Sequence, residues 1–252
     1  MRILSIDSSL GTQVAVVDAA PSAAGARALQ VLSQDEQADT RRHAESLGQM
    51  LSRALSAPEA AERPLDAVVA ATGPAPFTGL RAGLVTAGVV GRTRGVPVHG
   101  VSSLDAVARR ALDELGAQGG QAGPVVLVAT DARRREVYTA LFRANGPDDV
   151  TRLTEIIVCP PAQVAQRLAE QAPGPGGGSG GIDVVAGSGA SLYPELAEMV
   201  SCQKALAPVS GDALTQVRIA LARLERGEEL STQPLYLRHA DVQMPAARKR
   251  VR

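Results

Sequence analysis

Asp7, Ser8, Ser9 and Thr12 stand together where a short apolar run, "RILSID", gives way to a Ser/Gly turn. A strand-end carboxylate followed by hydroxyls and backbone N–H groups can cradle phosphates. In a nucleotide-cleaving enzyme such an Asp can also hold a metal or orient a water. Asp131 takes the matching place in the second half of the chain, after the run "PVVLVAT". Gly187 and Gly189, in "VAGSGAS", would let an adenine or ribose come close to the backbone, because glycine presents no side chain. These positions outline a nucleotide site. Asp and Ser also cap ordinary turns with no ligand at all, so the same residues equally fit a local role.

Other chemistries are poorly supplied. The histidines are His43, His99 and His239. A metal-binding helix places two ligands four residues apart on one face. Four residues after His43 comes Leu47, which cannot bind metal, so His43 reads as a surface or interface residue and no metal site is expected. The one G-x-S-x-G string, Gly177 to Gly181, falls in a Gly/Pro-rich stretch and not at a strand-to-helix elbow, so it supports no Ser–His–Asp set. Cys159 and Cys202 lie far apart and read as reduced thiols rather than a disulfide or a zinc site.

Bulk composition narrows the classes further. Lys plus Arg and Asp plus Glu both number 26, so no global field draws the chain to RNA or membrane. Aromatic residues are only 2%, too few for a base-stacking platform on single-stranded nucleic acid. The start, "MRILSID", lacks the pattern of a signal peptide, and no apolar run approaches the ~20 residues of a membrane span. A soluble, cytoplasmic protein is expected.

The elements that must position these residues follow from periodicity. Strands are predicted at "RILSID", "QVAVVD", 29–34, 65–72 and "GVPVHGVS", with helices over 41–55 and roughly 79–92. A further helix, "SLDAVARRALDEL", has Ser102 or Ser103 as its N-cap. The pattern then restarts. "VVLVATD" and "EVYTALF" answer the first two strands, and "IDVVAGSG" answers "LDAVVAATG", at nearly equal offsets. This internal repeat predicts two similar α/β lobes flanking a cleft. The first lobe is expected over 1–102, with a helix near 212–226 packing back on it, and the second over 103–208. A Gly/Pro-rich loop at 173–181 and a basic flexible tail at 239–252, ending "RKRVR", complete the chain. That tail is also a candidate contact for RNA phosphates.

The stretch "TGPAPFTGLRAGL", Thr72 to Leu84, has the look of a phosphate loop. Thr78 is the expected N-cap of the helix that follows. Arg81 then falls in its first turn against the helix dipole, which calls for a compensating anion or carboxylate. The helix carries Gly79, Gly83, Gly88 and Gly91, and between Arg81 and Arg92 its only polar side chain is Thr86. A helix apolar all round must be covered all round. One face can rest on its own sheet; the other needs a second helix or a partner. Helix 41–55, with Leu47, Met50 and Leu51, would extend it into a two-helix apolar surface of the kind that marks protein–protein sites.

The elements "RILSIDSS", "RRHAESL", "TGPAPFTGLRAGLVTAGVVGR", "VHGVSSLDAVA", "DARRREVY" and "QPLYLR" occur in the order found in TsaB-type (YeaZ) proteins, which this chain resembles over roughly residues 1–240. These are the small bacterial subunits of the machinery that makes threonylcarbamoyladenosine in tRNA. The resemblance implies the two-lobed α/β fold of the sugar kinase, Hsp70 and actin superfamily (the ASKHA fold). It implies a non-catalytic scaffold that binds and activates a catalytic TsaD-type sibling, with a TsaE-type ATPase subunit completing the complex. It implies tRNA contact through that complex, and a homodimer when alone. The pairing surface would use His43, Leu47, Met50, Leu51, Leu80, Gly83, Leu84, Ala87 and Gly88. Asp7, Ser8, Ser9, Asp131, Gly187 and Gly189 would be a vestigial nucleotide site, and no cofactor is implied. The family loop usually reads G-P-G-S-F-T-G; here it is "GPAPFTG", with Ala75 and Pro76 removing backbone freedom and a hydroxyl. The alternative is an independent nucleotide-dependent kinase or ATPase of the same fold.

Overall fold

The computed structural model describes residues 1–20, 27–38, 43–116, 123–171, 181–199 and 212–237. The tail at 239–252, Cys202 and all of the 173–181 loop except Gly181 lie outside the described residues, as do the side chains of His43 and Phe77.

Two mixed sheets share one wiring. In the first, β1 (Arg2–Asp7) pairs antiparallel with β2 (Thr12–Ala19), and β2 with β3 (Leu29–Gln37). On its other side β1 runs parallel to β4 (Ala67–Ala71), and β4 parallel to β5 (Val98–Val101), giving the order β3-β2-β1-β4-β5. In the second, β6 (Val126–Asp131) pairs antiparallel with β7 (Val137–Asn145), and β7 with β8 (Asp149–Arg152) and β9 (Ile157–Cys159). Its parallel partner on the far side of β6 is β10 (Val184–Ala186). So β6, β7 and β10 repeat β1, β2 and β4, the correspondence expected from the internal repeat. This is a two-lobed α/β architecture built on duplicated mixed sheets.

Helices fill both faces of each sheet. On one face of the first sheet lie α1 (His43–Ser56), α2 (Pro58–Ala61) and α3 (Phe77–Arg94), packing on Leu4, Ile6, Val14, Val16, Val68 and Ala70. Its other face, with Ile3, Ala15, Val17, Ala67 and Val69, meets α7 (Ala213–Glu225) and Ala106 of α4 (Ser103–Glu114). The rest of α4 packs on Val126, Val128, Ala140 and Phe142 of the second sheet. Helix α4 is thus the shared layer between the lobes. The far face of the second sheet is covered by α5 (Val164–Gln171) and α6 (Ser188–Leu192). Burial on both faces explains why β1 and β4 read as continuous apolar runs instead of alternating ones.

The boundaries depart from the sequence reading where tertiary pairing decides them. Strand β3 continues to Gln37 because β2 offers it partners out to Thr12. The four- and three-residue strands β8 and β9 are too short to leave a pattern. Helix α3 starts at Phe77 with Pro76 as N-cap, so Thr78 lies inside the helix and caps nothing. Ser102 does sit at the N-cap of α4, but its side chain makes no capping bond.

Candidate partner-binding face and inter-lobe cleft

Helix α3 has two unlike sides. Gly83, Ala87, Val90 and Gly91 face the first sheet, and Leu80 is buried beside Gly73. A Cβ at Gly83 would run into Ser8 Oγ, and one at Gly91 into Val98, so these two glycines let the helix lie close against the strands. The outer side carries Thr78, Arg81, Val85, Val89 and Arg92, all exposed. Val85 is 65% exposed and Val89 51%, one helical turn apart, and a Cβ on Gly88 beside them would meet nothing within 4 Å. Leu84 and Gly88 are half-buried along this edge.

Placement revises the expected contact set. Leu47 and Met50 of α1 and Leu80, Gly83 and Ala87 of α3 line the lobe's own core. The sheet is the large apolar surface within their reach, and it takes the bulkiest side chains. Leu51 is half-buried, and the outer side of α1 is polar, with Glu45, Gln49, Ser52 and Arg53 exposed. The exposed apolar atoms therefore sit on Val85 and Val89, which the sequence reading passed over. Projecting 78, 81, 85, 89 and 92 on a helical wheel would have found them. Arg81 donates from Nε to Tyr236 Oη at 2.7 Å and lies over its ring, 5.4 Å from the centroid. A phenol from the "QPLYLR" segment thus joins this face.

The cleft residues are engaged within the protein. Asp7 is buried; Oδ1 accepts from Ser9 N–H at 2.7 Å and Oδ2 from Gln216 Nε2 at 2.6 Å. Burial pushes its pKa up, opposed by the Ser9 and Gln216 bonds. Ser8 Oγ donates to the Gly79 carbonyl at 2.8 Å, tying the first turn to α3. Asp131 takes its turn's N–H from Arg133 at 2.9 Å, and its own N–H donates to Ser188 Oγ at 2.9 Å. A Cβ at Gly187 or Gly189 would strike the Ala129 carbonyl, so these glycines serve the close packing of α6 on β6. Ser9, Pro74, Ala75, Pro76, Ser103, Thr130, Asp131 and Ser188 border a cavity of about 20 Å³. That is far below the ~300–1,000 Å³ of small-molecule pockets. Among the described residues, the cleft brings the two turns together around this small cavity.

A charge network that the sequence reading missed joins the lobes. Asp149, fully buried at the β7–β8 turn, accepts from Arg223 Nε at 2.9 Å and is paired with Arg226. Arg223 also reaches Asp105 of α4 at 2.8 Å, and Arg218 reaches Asp148 at 2.8 Å and Asp113 at 2.6 Å. Arg109, 1% exposed, donates to the carbonyls of Gly146 and Asp149. These partners are tens of residues apart, so local spacing held no signal. Helix α7 is therefore apolar toward the first sheet and ionic toward the second.

Comparison with known proteins bears on this geometry. Residues 30–211 match the family model described as TsaD, tRNA N6-adenosine threonylcarbamoyltransferase. The chain belongs to this family. YeaZ from Pseudomonas aeruginosa superposes with a TM-score of 0.68 at 24% identity, over 94% of this chain and 99% of its own. Another solved structure, an uncharacterised P. aeruginosa protein with similarity to peptidase YEAZ, gives 0.69 at 25% identity with the same coverage. Within the TsaD family the chain thus has the fold of YeaZ. Uncharacterised proteins of Mycobacterium bovis and M. tuberculosis are 45% identical over 123 residues, 47% of this chain and 53% of theirs. The chain spans about half the length of these curated relatives. No helix among the described residues is long and apolar enough to cross a membrane.

Proposed function

We propose that this TsaB-type chain is a non-catalytic scaffold in the formation of threonylcarbamoyladenosine in tRNA, docking on a TsaD-type catalytic sibling through the outer side of α3. The observation that carries this reading is the exposed Val85/Val89 pair beside the open surface of Gly88. Apolar side chains held rigidly on a helix, next to a site with no Cβ, accept a second helix at close range. Tyr236 and Arg81 at one end and Arg92 at the other supply the aromatic and guanidinium anchors favoured in interface hot spots. Docking there orients and stabilises the sibling. A TsaE-type ATPase completes the assembly, tRNA is met through the complex, and the same face pairs two copies when the sibling is absent.

A role without its own catalysis fits the cleft, where Asp7 is held by Ser9 and Gln216 and the cavity is small. The other reading, an independent nucleotide-dependent kinase or ATPase, draws on Ser9 and Asp131 bordering one cleft. Calorimetry with ATP and magnesium separates the two: the scaffold reading expects no binding heat from the chain alone. Light scattering on the chain, the sibling and their equimolar mixture tests docking. A one-to-one species is expected; two independent peaks would contradict the reading.

A further inference from the structure

The hairpin turn between β6 and β7 holds residues that its geometry disfavours. Ala132 N–H donates to the Glu136 carbonyl at 2.9 Å, and Glu136 N–H to the Arg133 carbonyl at 3.1 Å, closing a turn over 133–136. Its central residues, Arg134 and Arg135, have φ of 55° and 60°, and Arg133 has φ of 63°. Positive φ at both central positions belongs to the mirror-image turns that suit hairpin twist, which Asn, Asp and Gly fill most readily. Side chains with a Cβ are crowded there. Three arginines in succession accept that strain, and all three are exposed, so apolar packing gives no reason for them. Arg133 reaches Asp131 at 3.4 Å, a carboxylate only 15% exposed and turned into the cleft. Among the described residues, Glu136 lies in the turn itself, and Tyr193 brings Glu195 and Arg135 into its surroundings together with Asp131.

We propose that Arg133, Arg134 and Arg135 form a cationic fingertip that contacts the phosphodiester backbone of RNA. The choice of RNA rests on reading the chain as part of a tRNA-modifying assembly. Guanidinium groups bind phosphate oxygens in pairs, and a hairpin tip presents them without a groove. The chain as a whole is charge-neutral, so this cluster acts locally. Its position is suited to the assembly. Asp131, at the base of the turn, borders the same cavity as Pro74, Ala75 and Pro76, which lead into α3. RNA held by a partner docked on α3 would pass this corner.

The test is tRNA binding by the intact chain alone, read by fluorescence anisotropy between roughly 50 and 200 mM salt. Arg134→Asn with Arg135→Gly installs favoured turn residues and removes two charges. Arg134→Lys with Arg135→Lys keeps the charges. The Asn/Gly variant is expected to melt higher than wild type, yet bind tRNA roughly tenfold or more weakly, with a salt slope smaller by about 1–2. The Lys variant should keep most of the slope. Unchanged affinity and slope in the Asn/Gly variant would overturn the proposal, as would a wild type that ignores tRNA. Binding of ATP at these residues with no tRNA binding would assign them to free nucleotide phosphates and overturn it as well. No sibling is present in this assay, so its failure leaves docking on α3 untouched, and failed docking leaves this result readable.

Discussion

Asp7 is a carboxylic acid placed where ionisation is costly. A carboxyl with a folded pKa above its unfolded value binds protons more tightly in the folded chain. Its stabilising contribution is therefore present at acid pH and is lost as pH rises from the ordinary carboxylate range through the raised value. Among the described residues Gln216 Oε1 has no hydrogen-bond partner, although its Nε2 donates to Asp7. In Asp7→Asn, a flipped Gln216 amide can accept from the new Nδ2 while Ser9 N–H keeps its acceptor. Melting temperatures across about pH 4–8 should show the variant more stable than wild type near neutrality, with a flatter profile. The type and place of Asp7 were legible in the sequence. Its role was not, because the residue that occupies it, Gln216, lies 209 positions away.

At the scale of the element, α3 turns on where its glycines point. Its length and apolar character were readable from composition, but the split between sheet-facing and outward glycines was not. That split depends on Ser8 and Val98, which other elements bring against it. Gly83→Ala forces a methyl into Ser8 and should destabilise the fold by about 1–3 kcal/mol through overpacking. Gly88→Ala adds a methyl in open space and should stabilise by about 0.8–1 kcal/mol through helix propensity. Chemical denaturation of both variants checks the opposite signs. The bulky side chains expected to face a partner turned inward: Leu47 and Met50 cover a sheet whose own residues are nearly all apolar, and Leu80 is buried against Gly73. What remains outside is the smaller pair, Val85 and Val89.

For the whole molecule, the lobes are joined by α4, which packs on both sheets, and by the arginines of α7. Asp149 is the sharpest probe of that junction. Asp149→Ala leaves Arg223 and Arg226 without this carboxylate at a buried site, which should cost about 3–5 kcal/mol in urea unfolding. The repeated strand order was visible in sequence, because β1–β2–β4 and β6–β7–β10 keep their apolar runs, and β1 and β6 both end in Asp. The ionic junction was invisible, since it pairs the 146–149 turn with a helix some seventy residues on. The account as a whole depends on α3 presenting an apolar surface outward. The affinity of the chain for the catalytic sibling, compared between wild type and Val85→Asp/Val89→Asp, tests this most directly. Leu192→Asp serves as control, an exposed apolar residue on α6, away from that face. Loss of binding in the valine double variant, with a normal melting temperature and an unaffected Leu192→Asp, is the predicted result. Wild-type affinity in the valine double variant would contradict the account.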